Sequence, residues 1–357
     1  MFTNLFRITL LGSAIALILA ACAGTTPSPA PVTLQPAATA TERSPAPATA
    51  QPAAPATAQP PATATTQPAA AYTEQPLETV TYQPATTLVG SRLLFSRFAG
   101  ANHDFSGIFI SMADGSGVAN TPLTKSDING RWSWSGAQIA VGTDLPDGRI
   151  GTIIISPDGS VLRVLEIPDA TLNMVCTIWS RDDTRLACQA WDDASPARAG
   201  IYSVRASDGE DLQRLTTPPA GILDEPGDYS PDGQLVFKRI NGDEGPGDLM
   251  LVKAGGESRL LYKGLMRESG RFSPDGRYVA TSMSGRLEVI SLDGKVLYEI
   301  FENGKFFYGP AWSPDGSRIA FSVTTVGYAK ADIFTSMPDG SDRQQVTKTP
   351  EDENSVD

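Results

Sequence analysis

Histidine is nearly missing from this chain: His103 is the only one in 357 residues. That excludes His-rich metal centres and leaves Ser/His or Cys/His catalysis hanging on a single side chain. Cysteine is scarce as well, with three residues, at positions 22, 176 and 188. Lys and Arg do not cluster, and the formal net charge is −12. Binding nucleic acid requires basic patches that neutralise phosphate, so no nucleic-acid partner is expected. There is no Gly-x-Ser-x-Gly elbow and no Gly-Lys-Ser/Thr phosphate loop, and no motif calls for a cofactor. The N-terminal apolar stretch, Ile8 to Leu19, is short of the ~20 residues that a membrane-spanning helix needs. Proline and glycine, by contrast, are plentiful at 28 and 33, which argues against a protein of long helices.

The N-terminus reads as an address. Arg7 supplies a positive n-region, the apolar stretch follows, and Leu19-Ala20-Ala21-Cys22 closes it. This ending resembles the lipobox of bacterial lipoproteins. The resemblance implies cleavage before Cys22, which then carries the lipid, and makes residues 1–21 the signal peptide. The other reading is ordinary secretion with a leftover thiol. Ala23 stands where an Asp would signal inner-membrane retention, which favours the outer membrane or outer surface. The expected location is the outside of a bacterial membrane, periplasmic or at the cell surface.

Residues 22–75 form the lipidated N-terminus and a linker. From Ala23 to about Tyr72 the chain is almost entirely Ala, Pro, Thr, Gln and Ser, and Ala-Thr-Ala-Gln-Pro occurs twice. Such a segment has too little apolar surface to offset its ordering entropy. Its prolines favour extended polyproline II stretches, with a reach on the order of 100 Å. Arg7, Arg43, Glu42 and Glu74 cancel within residues 1–75, so the whole −12 belongs to residues 76–357.

Those remaining residues repeat. One signature is an aromatic residue, a Ser-Pro-Asp-Gly turn and a short apolar strand. It begins at Trp312, Phe272 and Tyr229, and in weaker form at Trp179, Trp134 and Gly90. The second is an apolar strand ending near a Gly turn, at Asp114-Gly115, Asp158-Gly159, Asp208-Gly209, Gly255, Asp293-Gly294 and Asp339-Gly340. Ser156-Pro-Asp-Gly looks like the first signature but occupies the second slot. Each signature occurs six times, in alternation. Pro presets φ, Asp bonds nearby backbone and Gly accepts positive φ, so both are hairpin turns. Each unit therefore has four strands, a to d, and six such units predict an all-β, six-bladed β-propeller.

The aromatic-Ser-Pro-Asp-Gly-xx-Ile-Ala-Phe pattern, with Asp-Gly-xxx-Gln-Val-Thr, resembles the WD-repeat-like propellers of the TolB family. The resemblance covers about residues 88–357 and implies a periplasmic protein-interaction module. The same repeat occurs in propellers attached to serine peptidases, but no hydrolase domain accompanies it here. The chain departs from TolB in its lipid anchor, its long tether and the lack of a recognisable N-terminal α/β domain.

Blade 1 lacks an aromatic-Ser pair ahead of Gly90, so the C-terminal residues 351–357 are expected to supply its innermost strand. Leu77–Tyr82 is the alternative. Cys176 and Cys188 lie six residues either side of Asp182. They should face each other across a hairpin, and an exported chain allows them to form a disulfide. Two small buried thiols are the other reading.

The b–c and d–a loops share one face of the disc and vary in length and chemistry, which is where recognition usually sits. The candidate ligand-binding residues there are His103, Asp104, Trp191, Asp192, Asp193, Asp243, Glu244 and Tyr328. Phe306–Tyr308 is read as packing between blades. The acidic run 241–248 offers oxygen ligands for Ca²⁺ but lacks EF-hand spacing, so no metal site and no catalytic residue is assigned. The leading expectation is a non-enzymatic, monomeric, lipid-anchored propeller that binds an envelope protein or peptide, with a glycan as the further ligand class. The second is an extracytoplasmic hydrolase or lyase using carboxylates near the tunnel.

Overall fold

The protein is described by a computed structural model over residues 91–99, 104–121, 128–241, 247–283, 285–325, 330–354 and 356–357. The alternation of apolar runs and Gly-containing turns produces antiparallel hairpins in sequence order. Blade 1 contains β1 (Arg92–Ala99), β2 (Asp104–Met112) and β3 (Ala119–Asn120). Blade 2 is β4 (Ile128–Trp132), β5 (Ile139–Asp144), β6 (Ile150–Ile155) and β7 (Val161–Val164). Blade 3 is β8 (Asn173–Trp179), β9 (Arg185–Trp191), β10 (Gly200–Arg205) and β11 (Gln213–Arg214). Blade 4 is β12 (Ile222–Tyr229), β13 (Gln234–Asn241), β14 (Gly247–Lys253) and β15 (Arg259–Met266). Blade 5 is β16 (Arg271–Phe272), β17 (Tyr278–Met283), β18 (Arg286–Ser291) and β19 (Val296–Ile300). Blade 6 is β20 (Lys305–Trp312), β21 (Ile319–Thr325), β22 (Ala331–Ser336) and β23 (Gln344–Gln345).

The last strand, β24 (Asp352–Asn354), pairs antiparallel with β1 and completes blade 1. It occupies the position expected of the C-terminal residues; the alternative strand, Leu77–Tyr82, lies outside the described residues. Arg97 fastens the closure, donating from Nε and Nη2 to one oxygen of the buried Glu353 at 3.0 and 2.6 Å.

The core is divided among the blade interfaces. Among the described residues six buried apolar clusters are present, one between each pair of neighbouring blades. Leu94, Ile108, Ile139 and Ile155 join blades 1 and 2, for instance, and Ile178, Ile201, Leu235 and Phe237 join blades 3 and 4. Blades therefore stack like the two sheets of a sandwich, and each depends on its neighbours for burial. Neighbouring blades approach to backbone contact at Gly209, where a Cβ would lie 1.9 Å from the Glu166 carbonyl oxygen. The φ of +81° there also suits glycine.

Cys176 and Cys188 are register partners across β8 and β9, and the structure joins them by a disulfide inside the cluster between blades 2 and 3.

The blade 2 signature does not begin at Trp134. It begins at Trp132, which pairs with Ile139 as Trp312 pairs with Ile319. The turn is Ser133-Trp134-Ser135-Gly136 and keeps full length: Gly136 N–H donates to Ser133 O at 2.8 Å, as Gly276 N–H does to Ser273 O. A Ser133–Ser135 hydroxyl contact of 3.1 Å replaces the Ser-to-Asp hydrogen bond of the other turns. That bond measures 2.6 Å at Ser273–Asp275 and at Ser313–Asp315.

Candidate functional site

Each innermost strand pairs on one side only and leaves its other edge to the central tunnel. The residue just before the signature aromatic is equivalent in every blade. Arg131, Ile178, Asp228, Arg271 and Ala311 each pair next to the aromatic. Asp357 takes this position in blade 1, exchanging both backbone hydrogen bonds with Leu94. Register shifts just upstream in blades 2, 3, 4 and 6 break the ladder there, and such bulges re-aim the residue that follows.

Read in blade order, these positions are Asp357, Arg131, Ile178, then Asp228, Arg271, Ala311: acid, base and apolar, twice. The hydrogen bonds repeat as well. Asp357 accepts from the Trp132 backbone N–H of the next blade at 2.8 Å, and Asp228 accepts from Phe272 N–H at 2.9 Å. Arg131 Nη1 donates to the carbonyl just before Asp357, and Arg271 Nη1 to the carbonyl just before Asp228. Trp179 Nε1 donates to Arg131 O at 3.2 Å, and Trp312 Nε1 to Arg271 O at 3.1 Å. Around its axis the ring is thus two similar halves of three blades.

The carboxylates in this ring are hard to ionise. Asp228 keeps 13% of its side-chain surface and Asp357 19%. Burial raises the Asp228 carboxyl from 3.8 to about 7, against the pull of Arg181 and the Phe272 N–H, and Asp357 adds repulsion. Burial likewise raises Asp357, with Arg131 opposing. Glu268, between β15 and β16, is raised by burial against the attraction of Lys238. The turn aspartates behave oppositely: the Ser180 hydroxyl holds Asp182 below its usual range, and Lys253 with Ser230 holds Asp232 well below.

The two halves differ at the second turn position, where blades 4, 5 and 6 carry Pro231, Pro274 and Pro314. Blade 2 has Trp134 there and blade 3 has Arg181. These two residues meet, with the Arg181 guanidinium carbon 3.3 Å from the Trp134 ring centroid. Arg181 Nε donates to Tyr229 O at 2.6 Å, and Nη2 reaches Ser273 O at 3.3 Å, Phe272 O and Asp228 at 3.5 Å. One side chain thus touches blades 2, 4 and 5, so it lies across the turn-face mouth of the tunnel. Repetitive turn chemistry hides any role of this face in the sequence. The signal was there in the two copies that lack the turn proline, and they are adjacent.

The candidates on the loop face fare unequally. His103, Asp243, Glu244 and Tyr328 lie outside the described residues, as does Cys22, and Asp104 is described only as the first backbone position of β2. Trp191 is buried at the end of β9. Asp192 is also buried and organises its own loop, accepting from Ala194 N–H and Ser195 N–H at 2.9 and 3.1 Å. Arg198 clamps it at 2.6 Å and also binds Asp169 and Thr171 of the preceding loop. Asp193 stands exposed at the tip. Phe306–Tyr308 lies within β20 rather than in a loop, and Phe307 is fully buried between blades 5 and 6, as the packing reading expects. The described part of the acidic run, Gly247–Asp248, opens β14. Among the described residues no three Asp, Glu, His or Cys side chains converge as a metal site.

Among solved structures, the TolB candidate of Agrobacterium tumefaciens superimposes with a TM-score of 0.53 at 17% identity, over 75% of this chain and 98% of that one. The fold is that of a TolB-like six-bladed propeller. Hydrazine synthase from Kuenenia stuttgartiensis superimposes with a TM-score of 0.56 at 13% identity. That match covers 74% of this chain but 46% of the other, so this chain spans about half its length. An oligogalacturonate lyase from Vibrio parahaemolyticus follows at 0.49 and 14%, over 75% of this chain and 77% of the lyase. At these identities the likeness is one of fold. No protein-family model and no curated protein matches the sequence. Among the described residues, no helix of the TolB-like propeller is long and apolar enough to cross a membrane.

Proposed function

We propose that the protein is a non-enzymatic binding propeller of a bacterial cell envelope, held to a membrane by lipid on Cys22 and lifted away by the linker of residues 22–75. It engages an envelope protein or peptide, or a glycan, through the face of its b–c and d–a loops. The observation that carries this reading is the contrast between the two faces. The a–b turns of blades 2 to 6 share one closing hydrogen bond between the same two turn positions, whereas the b–c connections run from two residues between β17 and β18 to eight between β9 and β10. The longest is held rigid by the Arg198 clamp and presents Asp193 to solvent. A pre-ordered loop loses little entropy on binding. The TolB-like fold is in keeping with an interaction module.

Photo-crosslinking in intact cells tests this reading. The crosslinker belongs at exposed Asp193, since Trp191 is buried, with a control on the turn face at exposed Arg277. Capture of a defined partner from Asp193 but not from Arg277 supports the reading; equal capture from both sinks it. Cys22→Ser tests the anchor, and should move the protein from the membrane to the soluble fraction.

The raised carboxyls of Asp228, Asp357 and Glu268 favour the hydrolase or lyase reading. Against it, Asp357 and Asp228 each bind the backbone of the next blade in the same way, a use that ring assembly explains without a substrate. Turnover of a polysaccharide or peptide that disappears in Asp228→Asn would reinstate the enzyme.

A further inference from the structure

We propose that Arg181 and Trp134 form a receptor at the turn-face mouth of the tunnel for a carboxylate carried by a partner peptide. This site is independent of the loop face. Arg181 is 12% exposed at its side chain, and its guanidinium is incompletely used. Nε has one good acceptor, Nη2 has only long contacts, and Nη1 is buried with no acceptor among the described residues. A buried guanidinium nitrogen is costly without an acceptor, and a carboxylate is its best match in charge and shape. Asp228 does not fill that role. It stands 3.5 Å from Nη2, and its two oxygens already accept from Tyr229 N–H at 2.8 Å and Phe272 N–H at 2.9 Å.

The broken symmetry of the ring separates function from folding. Blades 5 and 6 carry Pro274 and Pro314 where blades 2 and 3 carry Trp134 and Arg181. Their half makes the same Asp, Arg and Trp hydrogen bonds without them. Ring assembly therefore does not require the Trp134–Arg181 pair. A peptide is favoured as carrier because, past the backbone groups that the Asp, Arg and Trp side chains of the ring already occupy, the innermost strands keep one edge that no strand pairs, which suits an extended chain.

Calorimetric titration of the purified full chain with N-acetyl-triglutamate, in chloride-free buffer, tests the proposal. Glucuronate and acetate are the comparison arms. The expected result is saturable triglutamate binding, at least about tenfold tighter than acetate, and weakened at least about tenfold by Arg181→Pro. That variant restores the turn residue of blade 6 and should keep the wild-type melting transition; Arg181→Gln serves if it does not. Trp134→Pro should weaken binding in the same direction, and Lys295→Gln, in an exposed turn of the same face that pairs with Asp293 and not with the Arg181 surroundings, should leave it unchanged. No saturable binding to the wild-type chain, or equal binding by the Arg181 variants, overturns the receptor. Glucuronate binding more tightly than triglutamate overturns the peptide in favour of an acidic sugar, and acetate matching triglutamate overturns any contribution from a peptide chain.

Discussion

Replacing Asp228 by Asn should change how stability depends on pH more than it changes stability itself. The Asp228 carboxyl is raised from 3.8 to about 7 in the folded ring. The folded state therefore holds this proton over a range in which the unfolded chain has released it. The stability that protonation contributes is fully present below about pH 4 and is lost as pH rises through about 7. A shift of about three units at about 1.4 kcal/mol each amounts to about 4 kcal/mol across that window. Asp357 and Glu268 are raised too, so they add slope of the same sign. The lowered turn aspartates Asp182 and Asp232 act below about pH 4, where their stabilisation is lost as they take up protons. Urea unfolding at about pH 4, 6 and 8 reads the slope. Wild type should lose stability over both intervals. Asp228→Asn cannot titrate, so most of that loss should vanish, leaving the share of Asp357 and Glu268. Asn also gives up one of two acceptor oxygens, so the variant starts less stable at low pH. Parallel slopes for the two proteins would refute the assignment.

Three further outcomes follow from the geometry. Gly227→Ala should destabilise by about 2–3 kcal/mol in urea melts, because the added Cβ would stand 2.2 Å from the Ser269 carbonyl oxygen. Removing residues 352–357 should abolish the single cooperative melting transition, since β24, the Arg97–Glu353 pair and the Asp357–Trp132 bond all go with them. Cys176→Ala with Cys188→Ala should cost on the order of 2–3 kcal/mol, as expected for a bridge spanning 12 positions. Intact mass with and without reductant, in the wild type, checks that the bridge exists.

The propeller was legible because its turns are local. Pro, Asp and Gly act within four residues, so each hairpin announces itself without reference to the rest of the chain. The blade 2 frame was misread for the same reason. Trp132-Ser133-Trp134-Ser135 contains two aromatic-Ser pairs in tandem, and only the pairing of Trp132 with Ile139 selects between them. The twofold pattern of the tunnel could not be read along the chain. Asp357 and Arg131 are adjacent only once the ring has closed, and Asp228 corresponds to Asp357 only across three blades. Two of the loop candidates sit differently from what their sequence suggests. Asp-rich and aromatic loops look exposed in sequence, yet Asp192 is turned inward by Arg198, and Trp191 ends a strand inside the blade.

The closing strand has a consequence for biogenesis. β24 is the last strand in chain order, yet it forms the inner edge of the first blade, and Arg97 meets Glu353 across 256 positions. A chain that emerges from a ribosome or a translocon N-terminus first can assemble blades 2 to 6 while blade 1 still waits. Until the final residues arrive, Leu93, Phe95 and Ile333 at the seam between blades 6 and 1 have no complete cover. The unfinished intermediate is therefore an open arc with one apolar flank at each end, the species that a chaperone must hold and that two crowded copies would join by exchanging their last strands.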